Sequence, residues 1–174
     1  MITVELADYL LGLDKYIVED GRILKNHELN LEKPMNLRLT LTAPEDTDQS
    51  LFVEIWESPK KSLKVTLHHQ DDNIQVGLMR IDFNSRHKNP EEITNNVPTK
   101  FHPYAGIFLD EYAGHIHYVV DGYTSLAWAI PLETDGFLVK ELKSRENYSA
   151  TINAFFKKIN LKTNITFNTQ LSII

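Results

Sequence analysis

The chain has 174 residues, of which 42% are hydrophobic and 24% charged, with a formal net charge of −6. That balance excludes wholesale disorder, and the length suits a single domain spanning 1–174. With no cysteine, disulfides, thiolate zinc sites and cysteine nucleophiles are excluded.

Thr3 is placed to cap a helix in which Leu6, Leu10, Leu13 and Ile17 recur at helical spacing, ending near Glu19-Asp20-Gly21. Alternation then takes over. Leu37, Leu39 and Leu41 alternate with polar residues and predict a half-buried strand closed at Pro44. Leu51, Val53 and Ile55 continue the period of two, and residues 58–61 make a turn. Leu63, Val65 and Leu67 predict the next strand, with residues 69–73 as a polar turn and the His68-His69 pair in solvent. Residues 74–83 are apolar on both faces, which places them centrally in a sheet.

A strand-poor loop over 84–100 follows, containing Pro90 and Pro98. Residues 114–121 and 126–132 predict a hairpin around Gly122-Tyr123-Thr124. Asn147 or Ser149 is placed to cap a second helix with Tyr148, Ile152, Phe155, Phe156 and Ile159 on its apolar face, and 164–174 reads as a short β-like tail. Short links between successive strands favour antiparallel pairing. The expected fold is α+β: a mainly antiparallel meander of 5–7 strands with an N-terminal and a C-terminal helix.

Charge is unevenly spread. Residues 1–58 sum to −7, 59–102 to +2, 103–139 to −5 and 140–174 to +4. An acidic chain is not a general nucleic-acid binder, but a local basic face drawn from 59–102 and 140–162 is compatible with one. The acidic N-terminus lacks the basic region of a signal peptide, and no uncharged stretch approaches the ~18 residues of a membrane span. A cytoplasmic location without a membrane partner is expected.

Six of the seven histidines fall between His68 and His117. His115 and His117 lie at i and i+2 of a predicted strand, so they share a face. If the 74–83 strand pairs with theirs, Arg80 and Asp82 join that face, beside the loop carrying His87 and Asn89.

The motifs His87-Lys88-Asn89-Pro90, His115-Ile116-His117-Tyr118, Asp121-Gly122-Tyr123 and Trp128-Ala129-Ile130-Pro131-Leu132 resemble those of a family of small bacterial proteins of unassigned function. The resemblance is strong over 78–132 and looser over the N-terminal helix. Members continue Asn-Pro with Asp-Gly, where this chain has Glu91-Glu92, and residues 101–113 form an enlarged segment. The resemblance implies no reaction.

Several known chemistries are excluded by spacing. A cupin needs a later histidine, and none follows His117. A histidine-triad hydrolase needs a third histidine where Val119 stands. The paired His-x-Thr/Ser repeats, the His-Glu-x-x-His motif and the phosphate-cradling glycine loops are missing from the sequence.

Three functional readings follow. In the leading one the histidine-rich face engages RNA or a ribonucleoprotein as a metal-independent ribonuclease of toxin or phage-factor type. His87, His115, His117 and Asp82 then act as acid and base. Arg80, Arg86, Asn89, Lys100, His102, Tyr104, Tyr118 and Tyr123 would bind the substrate by charge, hydrogen bonding or stacking. This reading requires no cofactor and no metal. The second is a non-enzymatic module that binds a protein partner. The third is a metal-dependent enzyme, with a divalent ion on His115, His117 and a carboxylate such as Asp82. A purely structural role for the same side chains, as satisfied polar groups, stands beside all three.

Overall fold

The computed structural model describes residues 2–168. Helix α1 (Val4–Gly12) starts as expected: the Thr3 hydroxyl accepts from the Leu6 amide at 3.2 Å, while Ala7 and Leu10 face the core. It ends at Gly12, not near Asp20. Leu13 is extended, and Ile17 belongs to strand β1 (Tyr16–Glu19), paired with β2 (Arg22–Ile23). The physical reason is Asp20-Gly21, whose φ values of 49° and 72° provide the two left-handed residues of a tight hairpin turn. The ammonium of buried Lys15 donates to the carbonyls of Leu11, Leu13 and Ile159, so one cation satisfies orphan carbonyls near both helix ends.

After β3 (Asn26–Asn30), the meander runs through β4 (Asn36–Thr42), β5 (Leu51–Glu57), β6 (Val65–Asp71) and β7 (Val76–Phe83). A 3₁₀ helix (Thr99–Tyr104) sits in the long connection to β8 (His115–Tyr118), which forms a hairpin with β9 (Trp128–Pro131). The short helix α2 (Leu132–Asp135), the helix α3 (Tyr148–Lys158) and the strand β10 (Asn164–Asn168) follow. The main sheet is eight-stranded in the order β2-β1-β4-β5-β6-β7-β8-β9, each pair antiparallel. The fold is α+β as expected, with one strand beyond the expected range. β10 forms a separate parallel pair with β3, and the rest of the expected β-like tail lies outside the described residues. No helix among the described residues is long and apolar enough to cross a membrane.

Two boundaries move. Leu63 (φ 60°) and Gln75 (φ 52°) adopt left-handed turn conformations, so Leu63 and Ile74 lie outside the strands assigned to them. β6 instead continues through His68 and His69, where a polar turn and a solvated pair were expected. His69 is fully buried, and its Nδ1–H donates to the Phe52 carbonyl at 3.0 Å. That bond satisfies one ring nitrogen at a core position, while Nε2 is buried without a partner.

Side chains alternate across the sheet. One face carries the row Leu37, Ile55, Leu67, Ile81, Ile116 and Ile130, directly paired from β4 to β9. It joins Leu10 of α1 and Ile152, Phe155 and Phe156 of α3 in one buried cluster. The expected cap of α3 is not made: Asn147 is helical and its side chain bonds no helix amide. The helix is held instead by buried Glu57, which accepts from Tyr148 Oη at 2.7 Å and from Arg145. The opposite face is polar, and it carries His68, His115 and His117.

Candidate functional site

Register aligns the polar face into two rows. Asn36, Trp56, Thr66, Asp82, His115 and Pro131 form one, and Arg38, Glu54, His68, Arg80, His117 and Ala129 form the next. Asp82 is thus opposite His115, and Arg80 opposite His117, so the conditional pairing of the two strands is present and puts all four on one face. Solvent meets the β4–β5 end of these rows, where the Arg38 and Glu54 side chains are 52% and 42% exposed. At the β7–β8 end the loop after β7 closes over them: His115 and His117 are 1% and 0% exposed, and Asp82 6%.

The centre is tightly connected. Asp82 Oδ1 accepts from the Thr66 hydroxyl at 2.6 Å. Its Oδ2 accepts from Arg80 Nε at 2.9 Å and lies 3.1 Å from His117 Nε2 and 3.8 Å from His115 Nε2. A carbonyl only accepts, so His117 Nδ1, 2.8 Å from the Leu126 oxygen, carries the proton. In the neutral ring Nε2 is therefore the lone pair, and Arg80 Nη2 donates to it at 3.1 Å. His115 differs from its neighbours: both of its ring nitrogens are buried and neither has a hydrogen-bond partner.

The loop adds a third imidazole. His87 packs edge-on against His117 with centroids 4.5 Å apart, and stacks on His115 at 5.7 Å. Its Nε2–H is shared between Asn89 Oδ1 (3.0 Å) and the Ala127 carbonyl (3.1 Å), leaving Nδ1 as the lone pair. Asn89 is the anchor. Its amide accepts from Ala129 N at 2.8 Å and donates to Ala129 O at 2.8 Å and Tyr104 O at 3.1 Å. One side chain thereby caps the outer edge of β9 as a strand would, with no capacity left for a substrate.

Electrostatics follow from burial and proximity. Burial pushes the Asp82 carboxyl up, but the Arg80 guanidinium and the Thr66 hydroxyl outweigh it, holding the acid well below the ordinary carboxylate range. Burial, reinforced by the neighbouring imidazoles and by the Arg80 charge, pushes His115 down to about 3. His87 is lowered by burial and by His117, and His68 falls to about 4 through burial and Arg80. Apart from any ion, His115 is a neutral ring throughout the physiological range.

The structure gathers Asp82, Arg80, His87, His115 and His117, together with Thr66 and His68, which the sequence reading left out. Register was the available signal for both: Thr66 pairs with Asp82, and His68 with Arg80. Other candidates are engaged elsewhere. Arg86 pairs with Glu111 at 2.9 Å, and its side chain is 77% exposed. Tyr118 faces the opposite side of the sheet from His117 and donates to Asp135, while Lys100 sits 4.1 Å over its ring. Tyr123 donates to Glu92 O, Tyr104 bonds Thr134, and His102 donates to Val97 O.

Among the described residues, one group has metal-ligand composition: Asp82, His115 and His117, all buried, with ligand atoms within 4.8 Å of one another. Two histidines and one carboxylate suit zinc or non-haem iron. The Leu126 carbonyl on His117 and the Thr66 hydroxyl on Asp82 are the kind of outer contacts that orient such ligands.

A model of a family of unknown function, DUF6978, matches residues 2–161. The chain belongs to that family. No curated protein and no solved structure matches it. The match spans all three α-helices, the whole eight-stranded sheet and the histidine centre, so the centre lies within the family domain.

Proposed function

We propose that the protein is a metal-dependent enzyme whose divalent ion is held by Asp82 Oδ2, His117 Nε2 and one nitrogen of His115. The observation that carries this reading is His115: a ring with both nitrogens buried and unbonded, pointing into a site with a carboxylate 3.8 Å away. A buried polar atom without a partner is costly, and an ion would supply one. Three protein ligands would leave a coordination position for water or substrate, and a bound ion would supply Lewis acidity and an activated water there.

Dialysed protein titrated with cobalt(II) or zinc(II) tests this. One equivalent is expected to bind, with a cobalt visible spectrum of low-coordinate nitrogen and oxygen ligation. His115→Ala and His117→Ala should each lower the affinity 100-fold or more while the variants stay folded. Failure of the wild type to bind at micromolar metal, or unchanged binding in both variants, overturns it.

A second reading has its own support. The Asp82–His117 contact at 3.1 Å, with Arg80 bonded to both, is a carboxylate–imidazole–guanidinium unit suited to acid–base cleavage of RNA without metal. It requires the loop bearing His87 to open, because the imidazoles beneath are sealed from a phosphodiester. RNA cleavage that persists in chelator and disappears in His117→Ala would favour it over the metal centre.

A further inference from the structure

Arg80 occupies the place from which a metal would have to draw two of its ligands. The lone pair concerned on His117 is the only one that ring has, and the Asp82 oxygen concerned already holds the guanidinium in front of it. Asp82 Oδ1 is turned to the Thr66 hydroxyl, while Oδ2 faces His115 and His117, and Arg80 Nε donates to it at 2.9 Å. His117 Nδ1 is committed to the Leu126 carbonyl, so Nε2 remains, and Arg80 Nη2 donates to it at 3.1 Å. A guanidinium cannot lose its charge to make way. It must leave.

It has somewhere to go. The Arg80 side chain is 32% exposed, whereas those of Asp82, His115 and His117 are 9% exposed or less, so Arg80 is the link between the buried centre and the open polar face. Its register neighbour away from the centre is His68, whose Nε2 is buried and unbonded. Once displaced, the guanidinium stands beside a divalent ion with five N–H donors unspent and the Asp82 charge neutralised by the ion. An oxyanion is the ligand that answers both cations, because it accepts bidentate hydrogen bonds from arginine and offers a lone pair to metal.

We propose that Arg80 is an exchangeable clamp that couples metal to anion: the centre's substrate carries an oxyanion, phosphoryl or carboxylate, which binds Arg80 when the metal takes Asp82 and His117. The proposal rests on the metal reading above. Linkage makes the coupling reciprocal. Without anion, Arg80 competes with metal for the same lone pairs; with anion, the guanidinium has a better partner and the competition is relieved. Each ligand therefore tightens the other.

The test is a cobalt(II) titration of wild type, Arg80→Met and Arg80→Lys, each alone, with inorganic phosphate and with acetate. For the wild type, one of the two anions should lower the cobalt Kd about tenfold, within the usual range of coupling between sites. The anion that does so assigns the substrate class. Sequestration of cobalt by the anion in solution would shift the Kd the opposite way. Arg80→Met should bind cobalt about tenfold more tightly than wild type without anion, and neither anion should improve it further. Arg80→Lys keeps the competing charge but loses the bidentate fork, so its anion effect should shrink. Cobalt binding to wild type that neither anion tightens would overturn the clamp and leave the metal centre standing. Absence of cobalt binding in wild type and Arg80→Met alike would overturn both. Should Arg80→Met melt early, the wild-type titrations decide the matter alone.

Discussion

The two faces of the sheet are made by the same strands and meet the demands of burial in opposite ways. On one face, Ile55, Leu67, Ile81, Ile116 and Ile130 are withdrawn from water to between 0% and 1% exposure. Their contribution is non-directional and scales with the apolar area removed. On the other, Asp82, His115 and His117 are buried almost as deeply, but their burial costs free energy unless each lone pair and proton is matched. Asp82 and His117 are matched at every atom, while His115 is matched at none. The core-facing His69 sharpens the contrast. It too is pushed down to about 3, chiefly by burial, yet its Nδ1 is satisfied by the Phe52 carbonyl. The core histidine has one ring nitrogen bonded and one, Nε2, buried without a partner, whereas His115 in the polar centre has neither bonded.

The comparison breaks first at Trp128. This indole is fully buried on the core-facing side, edge-on to Phe101 at 5.8 Å and Tyr123 at 5.5 Å. Trp128→Ala should cost about 3–5 kcal/mol by urea denaturation, regardless of metal or anion. A cost below ~1 kcal/mol would mean that this face is not the principal source of stability.

On the polar side the largest cost is expected at Asn89. Asn89→Ala strands the amide and carbonyl of Ala129 and the Tyr104 carbonyl, and removes one of the two acceptors of the His87 Nε2–H. Water can reach part of that edge, so a loss of about 2–3 kcal/mol is expected. Hydrogen exchange should rise across the loop after β7 and along β9 but not in β5. Uniform acceleration across the sheet would contradict the assignment of Asn89 as the local pin.

His69 separates the faces by pH. Its folded value is about 3, below the ~6.5 of an unfolded imidazole. Between those values the unfolded chain binds a proton that the native state refuses. Stability is therefore full above ~6.5 and is lost as pH falls toward about 3. From pH 7 to 5 this single ring removes about 2 kcal/mol. His69→Leu should flatten the pH dependence of unfolding free energy over that interval by this amount, measured by urea titration at each pH. An unchanged slope would place the acid sensitivity on the polar face instead, where His68 and His115 are lowered too.

The legible parts of this molecule were those in which a local pattern and a tertiary environment agree. Alternation through Leu37–Leu41 and Leu51–Ile55 locates β4 and β5, and the i, i+2 rule puts His115 and His117 on one face, while their place opposite Asp82 and Arg80 rests on the pairing of β7 with β8. Errors arose where two patterns overlap. Leu6, Leu10, Leu13 and Ile17 fit one helical stripe, but Leu6 is 38% exposed and the chain turns extended at Leu13; Asp20-Gly21 signalled a hairpin more strongly than a helix end. His68-His69 looked like surface because histidine is polar, although Val65, Leu67 and His69 keep an unbroken period of two. The pairing of β10 with β3, and the seat of Asn89 on the edge of β9, join residues far apart in sequence and leave no local trace.

The smallest expected stability change tests the centre most selectively. Thr66 lies on β6, directly opposite Asp82, and its hydroxyl donates to Oδ1 at 2.6 Å. Valine fills nearly the same volume and suits a strand, so Thr66→Val removes this donor with little change in packing. The carboxylate keeps Arg80, and Oδ1 is left one hydrogen bond short, which should cost about 1 kcal/mol. Its effect on a bound ion is expected to be larger. With Oδ1 tied to Thr66, the carboxylate plane is fixed and Oδ2 is directed toward His115 and His117; without that tether it is free to rotate. Loss of a contact of this kind typically lowers metal affinity about 10–100-fold. Thr66→Val should therefore be nearly silent in a melting curve without metal and conspicuous in a cobalt titration. Equal and small effects in both measurements would reduce Thr66 to an ordinary strand residue, and with it the case that the polar face is organised around an ion.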